Sequence, residues 1–270
     1  MTRTPLIETY DERAYLANLG ESKESVECFV HLAQVFTSRG TITAYVKFYP
    51  DDKGPSKGLC NEACGYLIAK SLGLPVPESA VILALPAPRL VEAHPSLGQR
   101  LRVDDKKLVW ATEQVRGLTV QPKSGEGLEE LRRWEHLPAV LAFDDWALNA
   151  DRHTGNLLRR SRRRFVLIDH GHLGGGLYWD ADLLAPQSQY QSPLARELWG
   201  SPIPPDPDIR NATLGATTAH LSAFETVEQE LTDLTSTLLT ELDHRAFTTF
   251  LRDRAQHGYE RVRTTLGLLL

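Results

Sequence analysis

The sequence predicts an α+β protein, with β-structure in its first part and helices in its second. Two early stretches, residues 28–32 and 42–48, are rich in β-branched and aromatic residues, and the turn-like residues 37–40 between them favour a β-hairpin. Helical patterns dominate the second half. A change from strands to helices along the chain is typical of α+β proteins, and we therefore predict two lobes, residues 1–115 and 116–270.

The elements of the first part are separated by glycine and proline. A polar loop over residues 51–58 precedes a helical pattern at residues 61–72, and Gly73 is expected to end this helix. Two further strands are predicted at residues 80–85 and 108–112. The first part is therefore expected to consist mainly of strands with one helix.

The second part is expected to be helical apart from one short hairpin. Its patterns predict, in order, helices at residues 127–136 and 138–149, strands at 156–159 and 164–169, a proline-rich surface segment at 186–211 and two amphipathic helices within 217–266. An arginine-rich run, residues 159–164, lies in the turn of the hairpin. It forms either a solvated tip or a contact for an acidic partner.

Composition argues against several classes of protein. The 270 residues are 41% hydrophobic and 24% charged, which indicates a folded globular chain. The net charge of −5 gives no support for direct nucleic-acid binding, and three cysteines are too few for a secreted disulfide framework. No stretch reaches the roughly 18 apolar residues of a membrane span, and the N-terminus lacks the apolar core of a signal peptide. We therefore expect a cytoplasmic protein that binds no membrane.

Two polar stretches contain the residues that suggest chemistry. Residues 149–156 include Asp151 and Asn156, and residues 167–172 include Asp169. The predicted hairpin between the stretches returns the chain on itself, so these three side chains can converge. Such a set suits phosphoryl transfer, in which one carboxylate orients the attacking hydroxyl while an amide oxygen and a second carboxylate hold Mg²⁺.

The same two stretches resemble a known family. The sequences DRHTGN at residues 151–156 and LIDHGH at residues 167–172 are similar to the catalytic and metal-binding loops of HipA-like kinases, which belong with the phosphoinositide-kinase-like branch of the protein-kinase superfamily. The similarity extends over about residues 26–175. It implies a two-lobed protein-kinase-like fold and an ATP-dependent kinase that uses Mg²⁺.

The resemblance implies a role for each matched residue of these loops. Asp151 would be the catalytic base, and Asn156 and Asp169 would bind Mg²⁺, so that Asn156 belongs to both the catalytic and the metal set. Arg152 would pair with a carboxylate and support the loop. His153 would also support it, and the matching histidine of phosphoinositide kinases is implicated in catalysis.

The resemblance also implies an ATP-binding set in the first part. Lys47 would contact the ATP phosphates, and Glu62 would orient Lys47. The remaining predicted contacts come from a phosphate-covering turn and an adenine-binding hinge, which contribute Ser38, Gly40, Glu113 and Val115. The turn lacks the glycine-rich patterns of many nucleotide-binding loops, so its amides and hydroxyls would meet the phosphates. Autophosphorylation of Ser38 is an additional hypothesis for this turn.

Two alternatives to an active kinase follow from the same residues. Histidines 153, 170 and 172 form a His/Asp cluster with Asp151 and Asp169. Imidazole suits zinc, manganese or iron, so the cluster could belong to a metal-dependent phosphohydrolase. A pseudokinase, which binds ATP without transferring phosphate, is the other alternative.

The acceptor is expected to be a protein serine or threonine, because HipA-like kinases phosphorylate such residues. Some of these kinases are toxins, so an antitoxin-like or operon-encoded partner is possible for this chain. A small-molecule hydroxyl is the alternative acceptor, since kinase-like folds act on many substrates. ATP and a protein acceptor are thus the predicted partners, and neither nucleic acid nor a membrane is among them.

Overall fold

The computed structural model describes residues 5–24, 27–51, 54–120 and 125–268. These residues form two compact units. The first unit runs to residue 59 and includes residues 77–115, and the second contains residues 60–76 and the chain from residue 116 onward. The α+β prediction is confirmed, because the first unit contains a six-stranded sheet and the second is mainly helical. This composition is consistent with a two-lobed kinase-like fold.

A mostly antiparallel sheet forms the first unit. Its strands are β1 (Glu8–Tyr10), β2 (Tyr15–Glu24), β3 (Phe29–Thr37), β4 (Gly40–Phe48), β5 (Ala80–Pro86) and β6 (Lys106–Glu113), in the spatial order β1-β5-β6-β4-β3-β2. Only β1 and β5 run parallel among these described pairs. The predicted early hairpin is present as β3 and β4, and the two later predicted strands are present as β5 and β6.

Helix α1 (Gly58–Ser71) ends where the sequence predicts. Gly73 adopts a φ of +69°, its amide donates to the carbonyl of Lys70, and the amide of Leu74 donates to the carbonyl of Ala69. This pair of hydrogen bonds is the Schellman arrangement, which favours glycine because a side chain would be strained at positive φ. The helix starts three residues before its predicted start, and the added turn includes the buried Cys60.

The first unit has its core on one face of the sheet. On β4, Ala44, Val46 and Phe48 are buried, and Lys47 points to the opposite face because side chains alternate along a strand. Apolar side chains of β3, β5 and β6 and of a short helix, α2 (Ala87–Ala93), complete this core. Lys47 is thus fixed in position by its two neighbouring strands.

The second unit combines helices with a small sheet. Its helices after α1 are α3 (Gly125–Arg132), α4 (Leu137–Ala147), α5 (Pro193–Trp199), α6 (Pro207–Ala216), α7 (His220–Leu238), α8 (Glu241–Gln256) and α9 (Gly258–Thr265). The sheet has the order β7 (Leu118–Thr119), β8 (Leu157–Ser161) and β9 (Arg164–Leu167), and both pairs are antiparallel. The predicted hairpin of the second part is therefore present as β8 and β9.

Two details of the second unit differ from the sequence prediction. The proline-rich segment 186–211 is not a continuous surface loop, because it contains α5 and the start of α6. Pro193 and Pro207 each stand at the first position of a helix, where the missing amide hydrogen of proline is not needed. The C-terminal region 217–266 holds three described α-helices rather than two, because the chain turns at His257 between α8 and α9.

Across the described residues, no helix has both the length and the apolar composition needed to cross a bilayer.

Candidate active site

The β8–β9 hairpin brings the two predicted loops to the same end of a sheet. Leu157 at the start of β8 pairs with Leu167 at the end of β9. One residue beyond this pair, the amide of Ile168 donates to the carbonyl of Asn156 at 3.1 Å. The loop that contains Asp151 and the loop that contains Asp169 therefore leave the hairpin side by side, as the sequence predicts.

Asn156 closes the first of these loops. Its side-chain nitrogen Nδ2 donates to the carbonyl of Asp151 at 2.9 Å, and a 3₁₀ turn over Thr154–Asn156 leads the chain into β8. The amide group is largely buried and is oriented by this hydrogen bond. Since the nitrogen is engaged, the side-chain oxygen is the atom of Asn156 that could bind a cation.

The carboxylate of Asp151 is exposed and lies between two imidazole rings. Its Oδ2 is 3.9 Å from Nε2 of His153 and 3.7 Å from Nδ1 of His172. Nδ1 of His153 accepts a hydrogen bond from the amide of Gly155 at 3.0 Å, so a neutral His153 carries its proton on Nε2, facing Asp151. His153 therefore has two contacts that can hold the loop and orient the carboxylate.

Arg152 connects the two loops through its buried guanidinium group. It is fully buried, and its Nε donates to both carboxylate oxygens of Asp144 on α4, at 3.1 and 3.2 Å. Its Nη1 donates to the carbonyls of Ile168 and Asp169, at 2.7 and 3.2 Å, and its Nη2 lies 2.9 Å from Nδ1 of His170. The carboxylate predicted as the partner of Arg152 is thus Asp144.

Burial dominates the electrostatics of this ion pair. Desolvation raises the pKa of Asp144, although Arg152 and a hydrogen bond from Asn149 act in the opposite direction. The side chain of Asn149 also accepts a hydrogen bond from the amide of Asp151 at 3.3 Å. The base of the loop is therefore held by buried polar contacts, whereas the carboxylate of Asp151 is left at the surface.

Asp169 has an unusual backbone conformation. Its φ is +63°, in the left-handed region that residues other than glycine rarely occupy. Such strain persists where the surrounding contacts require it, and it is concentrated at functional sites. Here Arg152 holds the backbone before and after the Cα atom of Asp169, because it donates hydrogen bonds to the carbonyls of Ile168 and Asp169.

Helix α1 contacts the loop that follows Asp169. Oε2 of Glu62 accepts a hydrogen bond from the amide of His170 at 2.9 Å, and Nδ2 of Asn61 donates to the carbonyl of Gly171 at 2.7 Å. Both side chains are buried. Gly65 allows the close approach, because a Cβ added there would lie 2.4 Å from Cβ of His170.

The contact between Glu62 and His170 gives Glu62 a role that sequence reasoning missed. The resemblance assigned Glu62 to Lys47, whereas the contact shown here is between Glu62 and the backbone of the predicted metal-binding loop. Asn61 makes further hydrogen bonds to the carbonyls of Leu173 and Gly176. The side-by-side pair Asn61-Glu62 was part of the sequence signal, but its target was not visible because it lies more than a hundred residues along the chain.

Glu197 is a further residue that the sequence did not indicate. It lies on α5, and its Oε2 accepts a hydrogen bond from the amide of Thr154 at 2.7 Å. This contact caps the 3₁₀ turn that carries Asn156. No local pattern predicts it, because the surrounding segment was interpreted as an irregular surface loop.

The predicted ATP-binding residues of the first unit do not all lie close together. Lys47 pairs with Val30 on β3 and with Trp110 on β6, so it lies near the start of β3. Ser38 and Gly40 belong to the β3–β4 turn at the other end of β4. At about 3.3 Å per residue, Gly40 and Lys47 are about 23 Å apart along the strand. The structure therefore does not bring the predicted turn together with Lys47.

A carboxylate next to this turn gives a second reason against phosphate binding there. The amide of Ser38 donates to Oε2 of Glu8 at 3.3 Å. Burial acts to raise the pKa of Glu8, but hydrogen bonds from Ser38 and Tyr10 outweigh it and lower that pKa, so the group is ionised at neutral pH. The carboxylate of Glu8 already accepts the hydrogen bond of the Ser38 amide, and its negative charge would repel a phosphate. The phosphate-covering role predicted for Ser38 and Gly40 does not fit this arrangement.

The predicted hinge residues lie at the end of β6. Glu113 is the last residue of this strand, and its amide donates to the carbonyl of Ser79 at 3.0 Å. The amide of Gln114 donates to the carbonyl of Thr43 at 2.7 Å, and Val115 is the last residue of the first unit. These bonds fix the backbone on which the predicted adenine contacts depend.

The side-chain oxygen atoms predicted as metal ligands in the second unit suit Mg²⁺ better than a transition metal. Asn156 and Asp169 offer oxygen atoms, which Mg²⁺ prefers and of which it needs few, since it retains several waters. Among the described residues, no group of three or more His, Cys, Asp or Glu side chains is arranged to hold a metal ion. The histidines around Asp151 thus form no such centre in the described chain.

Comparison with known proteins identifies one family. Residues 45–172 match the family model of HipA-like kinases. No curated protein matches the chain significantly. The matched range contains Lys47, Glu62 and both loops described above, and it confirms the resemblance on which the predicted roles were based. The match supports a phosphotransferase of the kinase type.

Proposed function

We propose that this chain, which resembles HipA-like kinases over residues 45–172, transfers the γ-phosphoryl group of Mg-ATP to a serine or threonine hydroxyl of a protein. In this reaction the bond between the γ-phosphorus and the bridging oxygen of ATP breaks, and ADP leaves. A new bond forms between that phosphorus and the hydroxyl oxygen, whose proton passes to Asp151.

The hydrogen-bonded connection between the two loops carries this proposal. Asn156 binds the carbonyl of Asp151 through its side chain and the amide of Ile168, next to Asp169, through its backbone. The three residues proposed to orient the hydroxyl and to bind Mg²⁺ belong to these two hydrogen-bonded segments, which supports the proposal. Phosphoryl transfer depends mainly on positioning and charge stabilisation, which this arrangement can provide.

The proposed residues of the second unit have two roles, proton acceptance and cation binding. Asp151 orients the acceptor hydroxyl and accepts its proton, and its exposed carboxylate is open to a protein substrate. Asn156 and Asp169 would hold Mg²⁺ by their oxygen atoms. The cation, when bound, neutralises charge on the ATP phosphates. His153 and Arg152 keep the loop in place.

In the first unit, Lys47 is the proposed contact for the ATP phosphates, and the backbone of Glu113 and Val115 is the proposed contact for adenine. The turn at Ser38 is not part of this proposal, because the register of β3 and β4 places it at the other end of β4 from Lys47.

The acceptor and the setting are the finer parts of the proposal. A protein serine or threonine follows from the resemblance, and an antitoxin-like or operon-encoded partner would be consistent with it. The predicted cytoplasmic location follows from the composition, and it agrees with a reaction that consumes ATP.

The proposal is tested by incubating the purified chain with γ-labelled ATP, alone and with cell lysate. Asp151→Asn should reduce label transfer by about 10²–10⁴-fold while ATP affinity is retained, because it removes the proton acceptor without changing size. Asp169→Asn should abolish transfer and weaken Mg-ATP binding. Asparagine is chosen over alanine at residue 169 because it tolerates the positive φ better. Chelation of divalent cations should also stop transfer.

Asp208→Asn is the matched control, because Asp208 is an exposed aspartate on α6 and lies outside both loops. It should transfer label at the wild-type rate. Wild-type transfer by Asp169→Asn would contradict the proposal. Clear ATP binding with no labelled acceptor would favour a pseudokinase, and release of inorganic phosphate that requires a transition metal would favour the phosphohydrolase.

A further inference from the structure

A cleft lined by arginines lies at the far end of the β8–β9 hairpin. It has a volume of about 530 Å³, and Arg160, Arg163 and Arg164 are among the residues that line it. We call it the arginine cleft. Strand β8 is five residues long, so its far end lies about 16 Å from Asn156 at about 3.3 Å per residue. The arginines at the hairpin turn therefore lie well away from Asn156.

The floor of the arginine cleft is aromatic. The rings of Trp134 and Phe165 are 5.3 Å apart, and both side chains are buried. His136 packs edge-on to Trp134 with the ring centroids 5.5 Å apart. These packed rings give the cleft a rigid base, while the arginine side chains at its edge are exposed.

The three guanidinium groups differ from most other arginines of the second unit. Neighbouring Arg159 binds Glu130 with two nitrogen atoms at 2.7 Å, and this contact lowers the pKa of Glu130. In contrast, the side chains of Arg160, Arg163 and Arg164 make no hydrogen bond or ion pair with another described side chain. The cleft thus presents three arginine side chains that no described carboxylate binds directly, with the carboxylate of Glu135 at its edge, in a chain whose net charge is −5.

The backbone of the hairpin turn adds a separate observation. Arg163 has a φ of +55°, a conformation in which glycine or asparagine would be less strained. Positive φ is common in the two-residue turn of a hairpin, and the amide of Arg163 donates to Oε2 of Glu130 at 3.4 Å, so the backbone of the turn is held while its arginine side chains extend into solvent.

We propose that the arginine cleft binds an acidic peptide segment of a partner protein, through several Asp or Glu carboxylates. Arginine pairs with carboxylates by two parallel hydrogen bonds, which suits this side-chain set. Neighbouring carboxylates do not hold the three guanidinium groups in place, and the groups belong to residues at different positions around the hairpin turn. They therefore fit charges that are distributed along a peptide better than a single phosphoryl group.

Nucleic acid fits the arginine cleft less well. Glu135 lies on its edge, and Glu126 and Glu130 lie beneath the hairpin against Arg159. A phosphodiester backbone carries a negative charge at every nucleotide and would meet these carboxylates, whereas a peptide can place uncharged residues opposite them.

The test is a fluorescence anisotropy titration of the full chain, without nucleotide, against a labelled peptide of alternating Glu and Gly. Wild-type protein should bind it, and binding should weaken as salt is added. Arg160→Gln/Arg164→Gln should weaken binding by about tenfold, since it removes two of the three positive charges available to the peptide carboxylates. Arg163 is left unchanged because its backbone is strained and its amide contacts Glu130.

Arg13→Gln/Arg245→Gln is the matched control, because it removes the same charge from two exposed arginines outside the cleft. It should bind the peptide like wild type. Equal loss in this control, or equal binding of a Gln/Gly peptide, would overturn the proposal. Tighter binding of the Gln/Gly peptide with one phosphoserine would assign the cleft to phosphopeptides instead. Tighter binding of a DNA duplex would assign it to nucleic acid, and either result would also overturn the proposal.

Discussion

At the scale of single residues, Arg152 connects more parts of the candidate site than its neighbours in the motif. It contacts a carboxylate on α4, two carbonyls at the metal-binding loop and the ring of His170. Its charge is fully buried, and so is that of Asp144. Removing one partner of such a pair leaves the other as an uncompensated buried charge.

Arg152→Met should therefore lower the free energy of unfolding by about 3–5 kcal/mol, as measured by urea denaturation. Arg152→Met/Asp144→Leu should recover part of this loss, because no buried charge remains. Arg245→Met removes an exposed ion pair and should change stability by less than about 1 kcal/mol. A change of that small size in Arg152→Met would show that the buried pair does not support the fold.

The pH dependence of the Arg152→Met variant follows from Asp144. Without the nearby cation, the pKa of Asp144 rises further above its unfolded value of about 3.9. The folded variant then binds a proton more readily than the unfolded chain, so the destabilisation relative to wild type should shrink as pH falls from 7 towards 4. Denaturation at several pH values measures this difference, and a constant difference would contradict the assignment.

At the scale of elements, α1 and the β8–β9 hairpin position the two loops. The hairpin aligns the loops through its register, and α1 holds the backbone after Asp169 through Asn61 and Glu62. The approach of α1 depends on Gly65, which faces His170 without a side chain. A change in this single contact should be transmitted to the metal-binding loop.

Gly65→Ala tests the approach of α1 to this loop. The added methyl group would collide with His170, so we expect a loss of about 1–3 kcal/mol in unfolding free energy and a loss of phosphotransfer. Gly215→Ala on α6 is the matched control, because no neighbouring heavy atom lies within 4 Å of the new Cβ. It should stabilise the chain by about 0.4–1 kcal/mol. Equal activity and stability in both variants would rule out the proposed contact.

At the scale of the whole molecule, each unit contains a buried histidine that stays neutral. In the first unit, His31 lies 2.9 Å from the hydroxyl of Tyr15 and 3.2 Å from His94, and burial lowers its pKa to about 4. In the second, His220 stacks on Trp146, and burial lowers its pKa to about 3. Neither unit can protonate its histidine in the folded state without a cost.

The two buried histidines predict how stability changes with pH. Between about pH 6.5 and 4 the unfolded chain binds protons that folded His31 does not, so the free energy of unfolding should fall as pH decreases through this range. The contribution of His31 is up to about 3 kcal/mol, at about 1.4 kcal/mol per pKa unit. His31→Gln should show a smaller pH slope in denaturation experiments, whereas His257→Gln, at an exposed position, should not. An unchanged slope in His31→Gln would contradict the prediction.

Much of the fold could be predicted because its signals are local. Strand alternation around Lys47, the stop at Gly73 and the hairpin between residues 156 and 169 all depend on neighbouring residues, and all are present. The prolines of segment 186–211 were interpreted as the mark of a long surface segment, whereas Pro193 and Pro207 begin helices. Proline is compatible with an irregular segment and with the first turn of a helix, and only the following residues and their burial decide between these two structures.

By itself, the sequence determined which residues form the two loops, because Asp151, Asn156 and Asp169 lie in short motifs joined by one hairpin. Tertiary structure alone decided what supports those loops, and it alone showed that the turn at Ser38 does not lie beside Lys47. Glu197 and Glu62 each bind a backbone amide far along the chain, and strand register separates Gly40 from Lys47 by the length of β4. Local patterns fix the conformation of a segment, but contacts between distant segments depend on how the whole chain packs.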